Sequence, residues 1–81
     1  MTNTEHGMKM SGTAHIRAYL EREGIRQSDL ARLSGVSRQA VSQWMKGNPI
    51  TPERAIQLER ATRGGLRREM LCPEIFLAGY E

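Results

Sequence analysis

Cysteine is nearly missing from this chain. Cys72 stands alone among 81 residues, so no disulfide can close within it. With His6 and His15 it also falls short of the four ligands that a structural zinc ion takes. Cys72 lies more than fifty residues from either histidine, with no glycine-rich phosphate loop and no paired carboxylates nearby. That leaves a nucleophilic or phosphoryl-transfer enzyme without support. Before Pro73, Cys72 reads as a small buried apolar residue. No apolar run approaches the roughly 18 residues of a membrane span, and the first residues lack the apolar core of a signal peptide. A reducing cytoplasm is the expected compartment, with no membrane, cofactor or small-molecule substrate. A chain this short buries only about 60% of its unfolded surface. That suffices for one helical bundle but not for a cleft between two lobes.

Acidic residues are also missing, but only locally. The formal charge is +3, and it is uneven. Residues 1–23 and 47–81 each balance, whereas residues 24–46 hold Arg26, Arg32, Arg38 and Lys46 against Asp29 alone. All the excess positive charge therefore sits in one stretch of 23 residues, the footprint expected of a site for a polyanion.

What that stretch does contain is two short helices around a corner. Gly35 can adopt the positive φ that ends a helix, and Ser37 offers a hydroxyl to cap the next one. Leu30, Ala31, Leu33 and Val36 on one side of the corner meet Val41 and Trp44 on the other. Trp44 is expected to serve as a core residue rather than a platform for a base. The outer face of the second helix then carries Arg38, Gln39, Ser42, Gln43 and Lys46 as one stripe. Arg and Gln match the edges of guanine and adenine in the major groove, and Ser, Lys and a helix N-terminus suit phosphates.

The spacing of Ala31, Gly35, Val36, Val41 and Trp44 resembles the helix-turn-helix of Cro-type phage repressors. The run Leu71-Cys72-Pro73-Glu74-Ile75-Phe76 resembles the tail of the YdaS-like regulators of the same broad group. The resemblance covers residues 25–76. It implies a lambda-repressor-like domain in which the first helix of the motif braces the DNA backbone and the second enters the major groove, commonly from a homodimer on an inverted repeat in double-stranded DNA. Carried over, it assigns Ser37, Arg38, Gln39, Ser42 and Gln43 to base contacts and Gln27 to a phosphate. Arg26, Arg32 and Lys46, with Asn48 and Thr51 beside the loop after the second helix, join Gln27 as phosphate contacts. Arg26 departs from the usual capping Ser or Thr, although Asp29 in the first turn favours the helix dipole. Arg67 departs in the same way from a capping Thr.

The rest of the chain reads as support. Residues 1–10 show no period and are expected to form a mobile arm. A helix should start near residues 11–13 and end at Gly24, with Ile16 and Leu20 inward, flanked by Ala14 and Tyr19, and His15 as a boundary residue. Ile25 should drop into the core. Thr51-Pro52-Glu53 is a helix start, and that helix should reach about residue 63 with Ala55, Leu58 and Thr62 inward and Ile56 at the edge. Gly64-Gly65 breaks the chain, and residues 66–71 can form one or two helical turns before Pro73 ends them. The expected fold is an all-α bundle of about five helices in one domain over residues 11–81. Met70, Leu71, Ile75, Phe76, Leu77 and Tyr80 exceed what such a bundle needs, which leaves two readings open: a homodimer interface, or a tail in which Phe76 folds back onto its own core. A regulator is the leading functional reading. An antitoxin-like or adaptor protein acting mainly through protein contacts is the alternative, because the YdaS-like group has been described in toxin-antitoxin terms. The polar face from Arg38 to Lys46 argues against that role as the sole activity.

Overall fold

The computed structural model describes residues 12–77. The expectations for residues 1–10 and for Tyr80 lie outside the described residues. Six helices follow one another: α1 Gly12–Glu23, α2 Gln27–Ser34, α3 Arg38–Met45, α4 Pro52–Ala61, α5 Arg68–Leu71 and α6 Pro73–Phe76. The sixth was not anticipated. Cys72 (φ −142°, ψ 65°) leaves the helical region, as a residue before proline should, and Pro73 then opens a new turn instead of only closing the old one.

The corner forms as its residues dictate. Gly35 takes φ 73°, and the Val36 N–H reaches back to the Ala31 carbonyl at 3.1 Å, closing the end of α2. Ser37 Oγ then accepts the Ala40 N–H at 3.0 Å, which starts α3. At α4, Thr51 Oγ1 accepts from the Arg54 N–H at 3.3 Å, with Pro52 in the first turn. The departure at Arg26 is compensated from the other side. The Asp29 carboxylate accepts the Arg26 N–H at 2.9 Å, half of a capping box; the arginine side chain, a donor only, cannot accept the other half.

These helices bury one core. Ile16, Leu30, Val41, Ala55 and Leu58 are fully enclosed, and Tyr19, Leu20, Ala31, Trp44 and Cys72 are buried beside them. Truncating an enclosed leucine in such a core costs about 2–5 kcal/mol. Ile25, Val36 and Phe76 are half-buried against the cluster, whereas Leu33, expected inside, is 51% exposed. The inward stripe of α2 runs through Leu30, Ala31 and Ser34, and Leu33 lies about a quarter turn outside it. Two buried residues were not singled out beforehand. Ile50 closes the loop before α4, and Leu66 is seated by its N–H, which donates to Thr62 Oγ1 at 2.9 Å.

In the C-terminal segment, two of the residues expected at a homodimer contact lie against the chain's own core. Leu71 is only 4% exposed and belongs to its own subunit's core, and Phe76 packs against that core with the Arg68 guanidinium 5.6 Å from its ring centre. These two residues are placed there because α5 and α6 pack against each other and α5 against α1 and α4. Ile75 and Leu77 remain about half exposed.

Candidate nucleic-acid interface

Two long-range hydrogen bonds fix the helix-turn-helix from opposite sides. The Thr13 hydroxyl, at the start of α1, donates to the Trp44 carbonyl at 2.5 Å, a second hydrogen bond for an acceptor near the end of α3 that also takes the Gly47 N–H at 3.0 Å. Gln57 Nε2 of α4 donates to the Ser34 carbonyl at 2.6 Å, where α2 ends, while Arg54 holds the other end of the Gln57 amide at 2.8 Å. The corner is thus tied to α4, and the exit of α3 to α1. Ser34 Oγ, buried at the same corner, has no hydrogen-bond partner among the described residues.

The face so fixed is an open groove between the start of α2 and the outer side of α3. Arg26, Gln27 and Ser28 line one wall, Arg38, Gln39, Ser42, Gln43 and Lys46 the other, and Leu20 and Ile25 complete the lining. None of these residues is acidic. Arg26 and Gln27 lie eleven or more residues from Arg38 in sequence, and the tight corner brings them to the same groove. Seven of the expected contact residues therefore meet in one place. Ser28, Leu20 and Ile25 were missed. Ser28 was detectable as a polar side chain in the first turn of α2 beside Gln27, but Leu20 comes from α1, and only the packing of α1 could reveal it.

Four expected contacts stand apart from the groove. Ser37 is exposed at its edge, but its hydroxyl is used as the α3 cap. Thr51 likewise caps α4, and both Thr51 and Asn48 line a second cleft, with Gly12, Ile50, Leu71 and Ile75. Arg32 points to a third hollow with Tyr19, Glu23 and Leu33, where it pairs with Asp29 at 3.5 Å. Asp29 also faces Arg26 at 3.6 Å. The hydrogen bond from the Arg26 backbone, then the two guanidinium groups, hold its carboxyl below the usual carboxylate range.

The charge on α3 runs against its own dipole. The helix has no acidic residue in its first turn, and that turn begins instead with Arg38. A cation at the positive end of a helix costs about 0.3–1 kcal/mol. A surface that retains such a mismatch is suited to an external anion. Elsewhere, burial pushes the Cys72 thiol above its ordinary pKa, so at neutral pH it is a packed thiol rather than a thiolate. No group of three His, Cys, Asp or Glu side chains able to hold a metal occurs among the described residues. No helix among them is long and apolar enough to cross a membrane.

Fold and groove together define a small all-α helix-turn-helix domain. The chain belongs to the family described as bacterial toxin YdaS, whose model matches residues 16–79. It is also similar to an Escherichia coli K12 protein named "Putative transcriptional regulator YdaS", with 50% identity over 50 residues, 60% of this chain. The chain spans about half the length of that relative (51%). The family's name and the relative's name thus point to different activities. No solved structure matches the chain.

Proposed function

We propose that this chain is a sequence-specific regulator that binds double-stranded DNA, with α3 in the major groove and the start of α2 against the backbone. The carrying observation is the acid-free groove that joins Arg26 and Gln27 to Arg38, Gln39, Ser42, Gln43 and Lys46. The name of the E. coli relative supports a regulatory role, and the motif's likeness to Cro-type proteins supports a repressor of prophage or plasmid type. Affinity comes mainly from Arg26, Gln27 and Lys46 at phosphates, with Arg32 and Thr51 as secondary contacts, and falls steeply with salt. Specificity comes from Arg38, Gln39, Ser42 and Gln43, with Ser37 at the groove edge.

Two copies acting together fit the exposed apolar side chains of Ile75 and Leu77, with half-buried Met70 beside them. Light scattering of the wild type and of an Ile75→Asp, Leu77→Asp variant tests this; equal masses for the two would remove that surface as the contact. Selection of bound duplexes from a random pool tests the reading as a whole. The expected product is an inverted repeat with half-sites about one helical turn apart; recovery of no preferred sequence overturns it. The family name favours a second reading, a protein whose target is another protein, and exposed Leu33, Ile75 and Leu77 suit that role. It predicts unaltered partner binding when Arg38 and Lys46 are reversed in charge.

A further inference from the structure

The end of α3 is closed in a way that reaches the groove. Gly47 takes φ 101°, which turns the backbone so that its own N–H bonds the Trp44 carbonyl at 3.0 Å and the Asn48 N–H bonds the Gln43 carbonyl at 3.1 Å. This is the paired 5→2 and 6→1 closure of a helix C-terminus, and the two residues it brings together usually make an apolar contact. Here they are Gln43 and Asn48, and the contact is polar. Asn48 Nδ2 donates to Gln43 Oε1. Asn48 therefore grips Gln43 twice, through its backbone and through its side chain, from the cleft behind the groove that Gln43 lines.

A carboxamide has a donor end and an acceptor end, and a free glutamine can turn either one outward. The pairing with the Asn48 amino group selects one of the two orientations. Gln43 Oε1 is engaged by Asn48, and the Nε2 amino group has no protein partner among the described residues. We infer that Asn48 is a specificity-determining positioning residue: by holding Gln43 Oε1 it presents the Nε2–H donors of Gln43 to the ligand. This replaces the phosphate contact expected for Asn48, and it rests on the DNA-reading proposal above. In the major groove the keto bases offer an acceptor, guanine O6 or thymine O4, where adenine and cytosine carry an exocyclic amino donor, whereas N7 accepts in both purines. Gln43 so oriented favours guanine or thymine at its position.

The test uses the full chain and duplex libraries. Gln43→Ala locates the position, because preference there flattens while the others persist. Asn48→Ala frees the amide and should reduce the keto-over-amino preference at that position by about tenfold, with the remaining positions unchanged. Asn48→Asp is the sharper variant. A carboxylate only accepts, so it draws the Gln43 amino group to itself and turns Oε1 outward, and the preference at that position should move from guanine or thymine toward adenine or cytosine. The added negative charge lowers affinity for every sequence, so relative preference is the readout. Asn48 is exposed, and helical circular dichroism should be retained in both variants. If both Asn48 variants weaken all sequences alike and leave the preference intact, Asn48 is a phosphate contact and the inference is overturned, although the regulator reading survives. The same holds if Gln43→Ala changes no position. A wild type with no preference for any duplex overturns the regulator reading itself and removes the basis of this one.

Discussion

In the groove between α2 and α3, Arg38 and Lys46 make no ion pair among the described residues. On the side formed by α4 and α5, Arg68 meets Glu59 at 2.5 Å and Arg67 meets Glu69 at 2.9 Å, while Arg54 is bonded to Gln57. Both regions hold several cations; on the α4–α5 side carboxylates accompany Arg67 and Arg68, whereas in the groove only Arg26 has one nearby, Asp29. Paired arginines close off their own surface, and Arg68 in addition packs over Phe76 to seat α6. Unpaired ones leave a field that a polyanion can fill. The comparison teaches that charge counts along a chain become informative only with the partners placed. Arg32 belongs to the basic stretch by sequence, yet it pairs with Asp29 outside the groove.

The largest expected effect comes from reversing the unpaired set. Arg38→Glu with Lys46→Glu should lower duplex affinity by about two orders of magnitude at low salt and reduce the log–log salt slope by roughly two. Exchanging the paired set, Arg67→Glu with Glu69→Arg, should leave affinity unchanged in the same anisotropy titration. The exchange leaves the net charge unchanged, so a loss in both would mean that the α5 surface contacts the duplex as well as the groove. Next in size, Gln39→Ala should cost about 1–3 kcal/mol on the preferred site and relax preference at one base pair.

A smaller effect should have the opposite sign in stability. Arg38→Glu alone removes the mismatch with the α3 dipole and should stabilise the free domain by about 0.3–1 kcal/mol in denaturant unfolding, even as it weakens DNA binding. Destabilisation would show that Arg38 serves the fold. The smallest effect concerns Asp29. Its folded pKa is depressed, so its contribution is present above the ordinary carboxylate range and is lost as pH falls through and below that range. The wild type should lose stability over that acid interval more than Asp29→Asn does, and parallel pH profiles would mean that the α2 start does not depend on this carboxylate.

Much of the site was legible because its signals are local. Gly35, Ser37, Thr51 and Pro52 act within three or four residues of themselves, and the stripe on α3 follows from helical period alone. The burial assignments that failed all required a distant partner. Leu33 was misplaced because α2 is short, and which of its faces is inward depends on where α3 and α4 lie. Leu71 looked like surplus until α5 was seen packed on α1 and α4, and Leu66 and Ile50 owe their burial to the same packing. Asn48 was expected at phosphate because the resemblance places its loop there; the turn at Gly47 brings its side chain to Gln43, the local contact on which the proposal above rests.

The most direct test of the central claim is to titrate the isotope-labelled chain with its selected duplex and follow backbone amide shifts by NMR. The changes should concentrate at residues 26–28 and 38–46, with the α4 and α5 surface around Glu59 and Glu69 unmoved. Changes centred on that second surface, or on Leu33, Ile75 and Leu77 with the groove silent, would contradict it.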